Sequence, residues 1–235
     1  MQFSGRLILV AAGASSLAQV VDLNSNNTCT NLPEFPTAIS GASGGVIEGS
    51  PMICGGRGRA YGQYSDEDQN ECYAYDKSSQ AWKFHAYLKE KRRHHSSVVM
   101  NGAFWVLGGN DNYYHLDTTE YIYANGTVVA GPHLPTTNHG HCSVTLHDGK
   151  IMIIGGYKVR QLNTVQIFSP KNNSFIQGPS LINRRYHLAC ALFFSPMHDN
   201  RPVVLSAGSF QDPTAEVLDY TTANAVWQES KLIWP

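Results

Sequence analysis

A short apolar run closing on glycine recurs five times along the chain: Leu7 to Gly13, Pro51 to Gly56, Phe104 to Gly109, Ile151 to Gly156 and Val203 to Gly208. Successive final glycines are 43, 53, 47 and 52 residues apart. A supersecondary unit repeated at roughly 50 residues must bury its apolar surface against its own copies, which restricts the chain to a repeat architecture. Each unit reads as four short strands, rich in Val, Ile and aromatics and bounded by Gly, Asn, Asp and Pro. In the second unit they run from Gly41 to Glu48, Pro51 to Gly56, Asn70 to Asp76 and Ala81 to Leu88. No long stretch shows helical periodicity.

A second period supports the first. An aromatic closing the third strand is followed seven residues later by another: Tyr75 and Trp82, Phe168 and Phe175, Tyr220 and Trp227. Seven residues suffice to leave a strand, turn and bring the second ring beside the first, and cross-strand aromatic pairs stabilise sheets. The third unit departs, offering Tyr121 and Val128.

At these residues the chain resembles the kelch-repeat family: Ile53-Cys54-Gly55-Gly56 with Tyr75 and Trp82, Val106-Leu107-Gly108-Gly109, and Ile153-Ile154-Gly155-Gly156 with Phe168 and Phe175. Ala12-Gly13 and Ala207-Gly208 stand where paired glycines are usual. The resemblance implies an all-β, kelch-type β-propeller with five blades of four-stranded antiparallel sheets, or part of a six-bladed one. The whole of 1–235 is then one domain, with blades near 1–36, 37–90, 91–136, 137–182 and 183–235. The first blade starts at its second strand, and Leu232 to Trp234 are placed to supply the missing one. The same N-terminus, with Arg6, an apolar stretch from Leu7 to Ala14 and small residues before Gln19, also has the form of a secretory signal.

The resemblance implies binding more than catalysis, since kelch propellers include adaptors, actin-associated proteins and a copper oxidase. A net charge of −1 and a pI near 6.8 lack the broad electropositive footprint of a nucleic-acid protein. No membrane span is expected. Strand direction puts loops joining second to third strands, and loops passing to the next blade, on one side. Those loops hold nine of the 17 Lys and Arg. Arg57, Arg59, Tyr61, Tyr64, Arg92, Arg93, Tyr113, Tyr114, Arg160, Arg184, Arg185 and Tyr186 are therefore the expected contacts for a protein, an acidic peptide or an acidic glycan. Arg offers a bidentate fork and Tyr a rigid contact surface.

His95, His141 and His187 recur near the starts of first strands, a recurrence better read as structural than as a metal site. No cofactor is expected, nor any catalytic residue: no phosphate-binding lysine loop, zinc-protease helix or nucleophile elbow is present. A BTB-kelch-like ubiquitin-ligase adaptor and a secreted copper oxidase resembling galactose oxidase are the alternatives. Three glycosylation sequons, at Asn26, Asn125 and Asn172, fall at hairpins between third and fourth strands. Of five cysteines, Cys54 and Cys72 face each other across adjacent strands and can form a disulfide, while buried thiols account equally well for Cys142 and Cys190. An extracellular location is favoured, with the cytoplasm as the alternative.

Overall fold

The computed structural model describes residues 7–11, 16–22, 30–58, 65–209 and 212–230. Arg59, Tyr61, Tyr64, Asn26 and the Leu232 to Trp234 strand lie outside the described residues. The fold is all-β, with a single 3-10 turn, Pro196–His198, as its helical content among those residues. By internal contacts the chain divides into two compact units, 1–133 and 134–235.

The first unit holds three repeats. Repeat 1 is a three-stranded meander of β1 (Leu7–Ala11), β2 (Ala18–Asp22) and β3 (Thr30–Leu32). Leu7–Ala11 is thus a strand, paired antiparallel with β2 from Leu7↔Asp22 to Ala11↔Ala18. Repeat 2 contains β4 (Ile39–Ser40), β5 (Ser43–Ile47), β6 (Ser50–Cys54), β7 (Arg57–Gly58), β8 (Glu67–Asp68), β9 (Glu71–Asp76) and β10 (Ala81–Tyr87). Its main sheet has the order β5-β6-β9-β10, and β4-β7-β8 forms a small sheet of its own. Repeat 3 is the meander β11 (Ser96–Met100), β12 (Ala103–Leu107), β13 (Thr119–Tyr123) and β14 (Val128–Ala130).

The second unit holds repeats 4 and 5. They comprise β15 (Cys142–Thr145), β16 (Ile151–Ile154), β17 (Val165–Ser169) and β18 (Ser174–Gln177), then β19 (Ala189–Ser195), β20 (Arg201–Ala207), β21 (Ala215–Leu218) and β22 (Gln228–Ser230).

The apolar runs read from the sequence are the second strands, and β12 and β16 are buried along their whole length. A continuous apolar run is what a strand needs when both of its faces are covered. The cores lie between successive sheets rather than within one. Ile47, Met52, Cys54, Cys72, Ala86 and Leu88 of repeat 2 pack with Phe104, Val106 and Ile122 of repeat 3. In the second unit Val144, Met152, Ile154 and Val165 pack with Val204, Leu218 and Trp227. Each fully buried aliphatic or aromatic side chain contributes about 1.5–3 kcal/mol, available only when the neighbouring repeat is in place.

Aromatics join repeats as well. Trp82 and Trp227 occupy the same position and donate their indole N–H to the carbonyls of Pro33 and Pro179 in the preceding loops, at 3.1 and 2.9 Å. Tyr75 pairs with Trp82 and Phe168 with Phe175, at 5.5 and 4.9 Å between ring centroids. In repeat 3 the partner of Tyr121 is instead Trp105, stacked at 4.5 Å from the neighbouring strand.

Two disulfides fasten strands. Cys54 and Cys72 are direct partners between β6 and β9, with Cα atoms 4.1 Å apart. Cys142 and Cys190 link the first strands of repeats 4 and 5 across 5.9 Å.

The glycine register in repeat 5 differs from the sequence expectation. Gly55, Gly108, Gly155 and Gly208 each follow the second strand, have φ between +56° and +68°, and donate N–H to the residue before or opening the third strand at 2.9–3.0 Å. Gly208 therefore matches the first glycine of each pair, and Ser209, not Gly208, fills the second position. Gly56, Gly109 and Gly156 hold φ of +95° to +105° there. Ser209 compensates through its hydroxyl, which accepts the Tyr186 N–H at 2.9 Å and donates to the Tyr186 carbonyl at 3.1 Å.

A Cβ on Gly156 would sit 2.0 Å from Asn138 Oδ1, whereas one on Gly102 would meet nothing within 4 Å, both residues having positive φ. Gly156→Ala is therefore expected to cost well over the ~1 kcal/mol of a positive-φ alanine, and Gly102→Ala only about that amount. Urea denaturation of the two variants measures the difference.

Candidate partner-binding loops

The arginines expected to form one binding surface have different fates. Arg92 and Arg185 are completely buried. Arg92 donates from Nη1 to the carbonyls of Gly108 and Thr118 at 2.7 and 3.1 Å, and from Nη2 to Glu120 Oε1 at 2.7 Å and Thr118 Oγ1 at 3.2 Å. Arg185 repeats the pattern on Gly208, Thr214 and Glu216, with Nε and Nη2 on Glu216 Oε1 at 3.0 and 2.8 Å. Both carboxylates are buried too. Glu120 accepts the backbone N–H of Lys89 and Glu90, and Glu216 those of Ile182 and Asn183, so each caps the loop that carries its arginine.

Arg92 and Arg185 are therefore framework residues and not surface contacts. A guanidinium deprived of water survives only with most of its donors satisfied, and here strand-end carbonyls, a threonine hydroxyl and a carboxylate serve every nitrogen of Arg185 and both Nη groups of Arg92, whose Nε has no partner among the described residues. Corresponding positions carry Ile39 and Tyr73 in repeat 2, and Asn138 and Gln166 in repeat 4. Asn138 Nδ2 donates to the Gly155 carbonyl at 2.9 Å, a shorter version of the same bond.

Arg57 and Arg93 converge on Asp68. Arg93 Nη1 lies 2.9 Å and Arg57 Nη1 3.5 Å from Asp68 Oδ1, and Arg57 also donates to Asn112 Oδ1. Asp68 is 1% exposed. Burial pushes its carboxyl above the ordinary value, while the charges of Arg93 and Arg57 pull it back. On the adjoining turn Asp111 Oδ1 accepts the backbone N–H of Tyr113 and Tyr114 at 2.8 and 2.6 Å. This Asx-type turn fixes the backbone and leaves the rings, 6.2 Å apart, 83% and 70% exposed.

In the second unit, Arg160 and Arg184 are exposed, as is Lys158, and among the described residues none of the three forms an ion pair. Their loops are joined by the Leu162↔Arg185 bridge, and the loop of Lys158 and Arg160 is closed on itself by Tyr157↔Gln161. Beside them Tyr186 packs on His139 at 5.6 Å, Tyr157 at 5.2 Å and His187 at 3.9 Å. Gly140 makes room, since a Cβ there would stand 2.6 Å from the Tyr186 ring.

The histidine recurrence also shifts. His95 and His141 share a buried position at which repeat 5 has Leu188, whereas His187 aligns with Gly41, His94 and Gly140, all at positive φ. Burial lowers the His187 pKa. Among the described residues no three His, Cys, Asp or Glu side chains gather as a metal site would require. Nor, among the described residues, is any helix long and apolar enough to cross a membrane.

Paired positive-φ glycines after the second strands of repeats 2, 3 and 4, and four-stranded meanders packed sheet against sheet in repeats 2 to 5, define a kelch-type β-propeller fold. A family model described as Kelch motif matches residues 139–182, the whole of repeat 4. A solved structure titled "Structure of YjhT" superposes with a TM-score of 0.81 over 97% of this chain and 81% of that one, at 14% identity, a likeness of fold. Repeat 4 is thus similar to a Kelch motif, within a chain whose fold is that of a kelch-type propeller.

Removing one partner of a buried pair leaves an uncompensated charge, so Arg92→Met is expected to cost about 3–5 kcal/mol, whereas Arg92→Met with Glu120→Gln, which removes the stranded charge and keeps an acceptor for the Lys89 and Glu90 N–H groups, recovers part of it. Arg184→Glu, on an exposed side chain, is expected to stay within about 0.5 kcal/mol of the parent. Chemical denaturation of the four proteins tests the assignment of buried and surface arginines.

Proposed function

We propose that this protein is a non-catalytic kelch-repeat binding module that engages an acidic peptide segment of a partner protein through its Arg- and Tyr-bearing loops. The observation that carries this reading is the set of exposed cations, Arg160, Arg184 and Lys158, without carboxylate partners among the described residues, next to the Tyr157–Tyr186–His139 rings. Cations held beside aromatic surface favour carboxylate or sulfate groups, because Arg gives directed paired hydrogen bonds and the rings give contact area at small entropic cost. In the first unit Tyr113 and Tyr114 offer exposed rings, but Arg57 is already engaged by Asp68 and Asn112. Function on loops supported by a rigid framework is the usual division of labour in such folds.

The copper-oxidase reading is poorer. Its site needs two tyrosines and two histidines with their donor atoms converging on the ion, and commonly a cysteine cross-linked to one tyrosine. His139, Tyr157, Tyr186 and His187 do come together, but by ring packing, with Tyr186 and His187 in contact at 3.9 Å. The cysteines described are bridged to one another, leaving no thiol there for such a cross-link. A BTB-kelch-like adaptor role finds no specific observation in its favour. Two disulfides and exposed sequons at Asn125 and Asn172 support an oxidising, extracellular setting.

With a poly-glutamate peptide and with heparin as probes, Arg160→Glu combined with Arg184→Glu is expected to weaken retention at least about tenfold at moderate salt while leaving the thermal midpoint nearly unchanged. Retention equal to the parent overturns the reading, and loss on heparin alone moves it from a peptide to a sulfated glycan. Expressed through the secretory route, the protein is expected to lose mass on enzymatic deglycosylation; an unchanged mass removes the sequons as support for the location.

A further inference from the structure

Strand β10 is interrupted in a way that gathers side chains. Its pairing with β9 runs Trp82↔Tyr75, Lys83↔Ala74 and Phe84↔Tyr73, skips His85, and resumes at Ala86↔Cys72 and Tyr87↔Glu71. In a regular strand Phe84 and Tyr87, three residues apart, would occupy opposite faces. The bulge at His85 returns both to the face shared by Tyr73 and Glu71.

The result is a ring cluster with one carboxylate. Phe84 and Tyr87 lie 4.6 Å apart at 49°, and Tyr73 stands nearly perpendicular to Phe84 at 6.1 Å and 86°. The Tyr73 hydroxyl donates to Glu71 Oε2 at 3.0 Å. Burial and Glu71 push that hydroxyl up to about 12, so it stays protonated and keeps the carboxylate oriented. Behind Tyr73, Phe35 packs at 5.3 Å and is itself braced by Trp82 at 5.3 Å. On this rigid base Phe84 and Tyr87 remain 49% and 58% exposed.

The electrostatics select the ligand. Aromatic faces carry negative potential, and Glu71 adds a full negative charge beside them. The strand's own cation, Lys83, belongs to the opposite face and is paired with Asp76. An anion is repelled, and a neutral apolar partner would strip water from Glu71 without replacing it. A primary ammonium gives up strong hydration on leaving water. A quaternary or methylated ammonium, with a diffuse charge and an apolar shell, meets both the rings and the carboxylate.

We propose that Tyr73, Phe84, Tyr87 and Glu71 form a recognition site for a quaternary or methylated ammonium group. It uses none of the residues of the Arg160 and Arg184 loops and does not depend on their role. The test is calorimetric titration of the oxidised, intact chain with choline chloride, and in parallel with 3,3-dimethylbutan-1-ol, the neutral carbon isostere of choline. Saturable choline binding is expected, with the isostere at least about fivefold weaker and Phe84→Ala or Tyr87→Ala each weakening choline by a similar factor. Equal binding of choline and its neutral isostere, or no saturable choline binding to the parent protein, overturns the proposal, and this comparison needs no variant to fold. Glu71→Gln is expected to narrow the preference for choline over the isostere; an unchanged preference would show that the carboxylate plays no part.

Discussion

The carbonyl oxygen of one buried arginine holds one repeat to the next. Gly56 N–H donates to the Arg92 carbonyl at 2.8 Å, and the Arg92 N–H donates to Gln69, so the main chain of Arg92 belongs to the end of repeat 2. Its side chain is committed to Gly108, Thr118 and Glu120 of repeat 3. In the second unit Gly156 and Leu162 of repeat 4 hold the main chain of Arg185 in the same way, while Gly208, Thr214 and Glu216 of repeat 5 hold its side chain. One residue thus caps two sheets. The close approach explains why glycine precedes it: a Cβ on Gly55 would lie 2.5 Å from the Arg92 carbonyl, and one on Gly155 2.7 Å from that of Arg185.

The same station is filled by other chemistries elsewhere, which shows what it requires. Repeat 2 uses buried Ile39 with Tyr73 across from it in the repeat alignment, an apolar solution that leaves no charge to neutralise. Repeat 4 uses Asn138, whose amide donates to Gly155 and whose oxygen accepts the Tyr157 N–H at 3.0 Å. An amide or an ion pair bonds the strand-end carbonyls and an apolar side chain only packs over the station, but exchanging one member of the ion pair alone leaves a buried charge stranded. That constraint operates through the partner rather than through the residue type, so it is invisible to a comparison of single positions.

Periodicity made the architecture legible. The paired glycines of repeats 2, 3 and 4, the second strands and two of the three aromatic pairs lie where the sequence pattern puts them, because these are local backbone and alternation requirements. The fate of individual loop arginines was not legible, since a charged residue between strands reads as solvated. The Arg92-Arg93 and Arg184-Arg185 dipeptides look equivalent, yet the buried member is the first in one and the second in the other. The signal that separates them is distance from the preceding buried leucine: Arg92 follows Leu88 and Arg185 follows Leu181 by the same interval. A carboxylate near the start of the third strand, Glu120 or Glu216, completes that signature. The Gly208-Ser209 register was hidden for a similar reason, since only the hydrogen bond from Gly208 to Thr214 reveals which glycine it replaces.

Once the buried arginines are assigned to the framework, the remaining loop residues divide by what surrounds them. Arg57 and Arg93 spend their charge on Asp68, and a partner's carboxylate would have to displace a buried one. Arg160 and Arg184 face no such competitor among the described residues, so an incoming anion exchanges only water. Exposed ion pairs are worth little singly, because salt and side-chain entropy offset the Coulomb term. Under the proposed binding role, affinity at this surface would come from the rings beside it, Tyr157 and Tyr186, while the cations would decide which partner is admitted. The framework positions the Tyr186 ring through the Ser209 hydroxyl, which holds the Tyr186 main chain, and through Gly140, whose missing Cβ leaves the ring its space, so that in the proposed role a backbone requirement of the repeat also serves recognition.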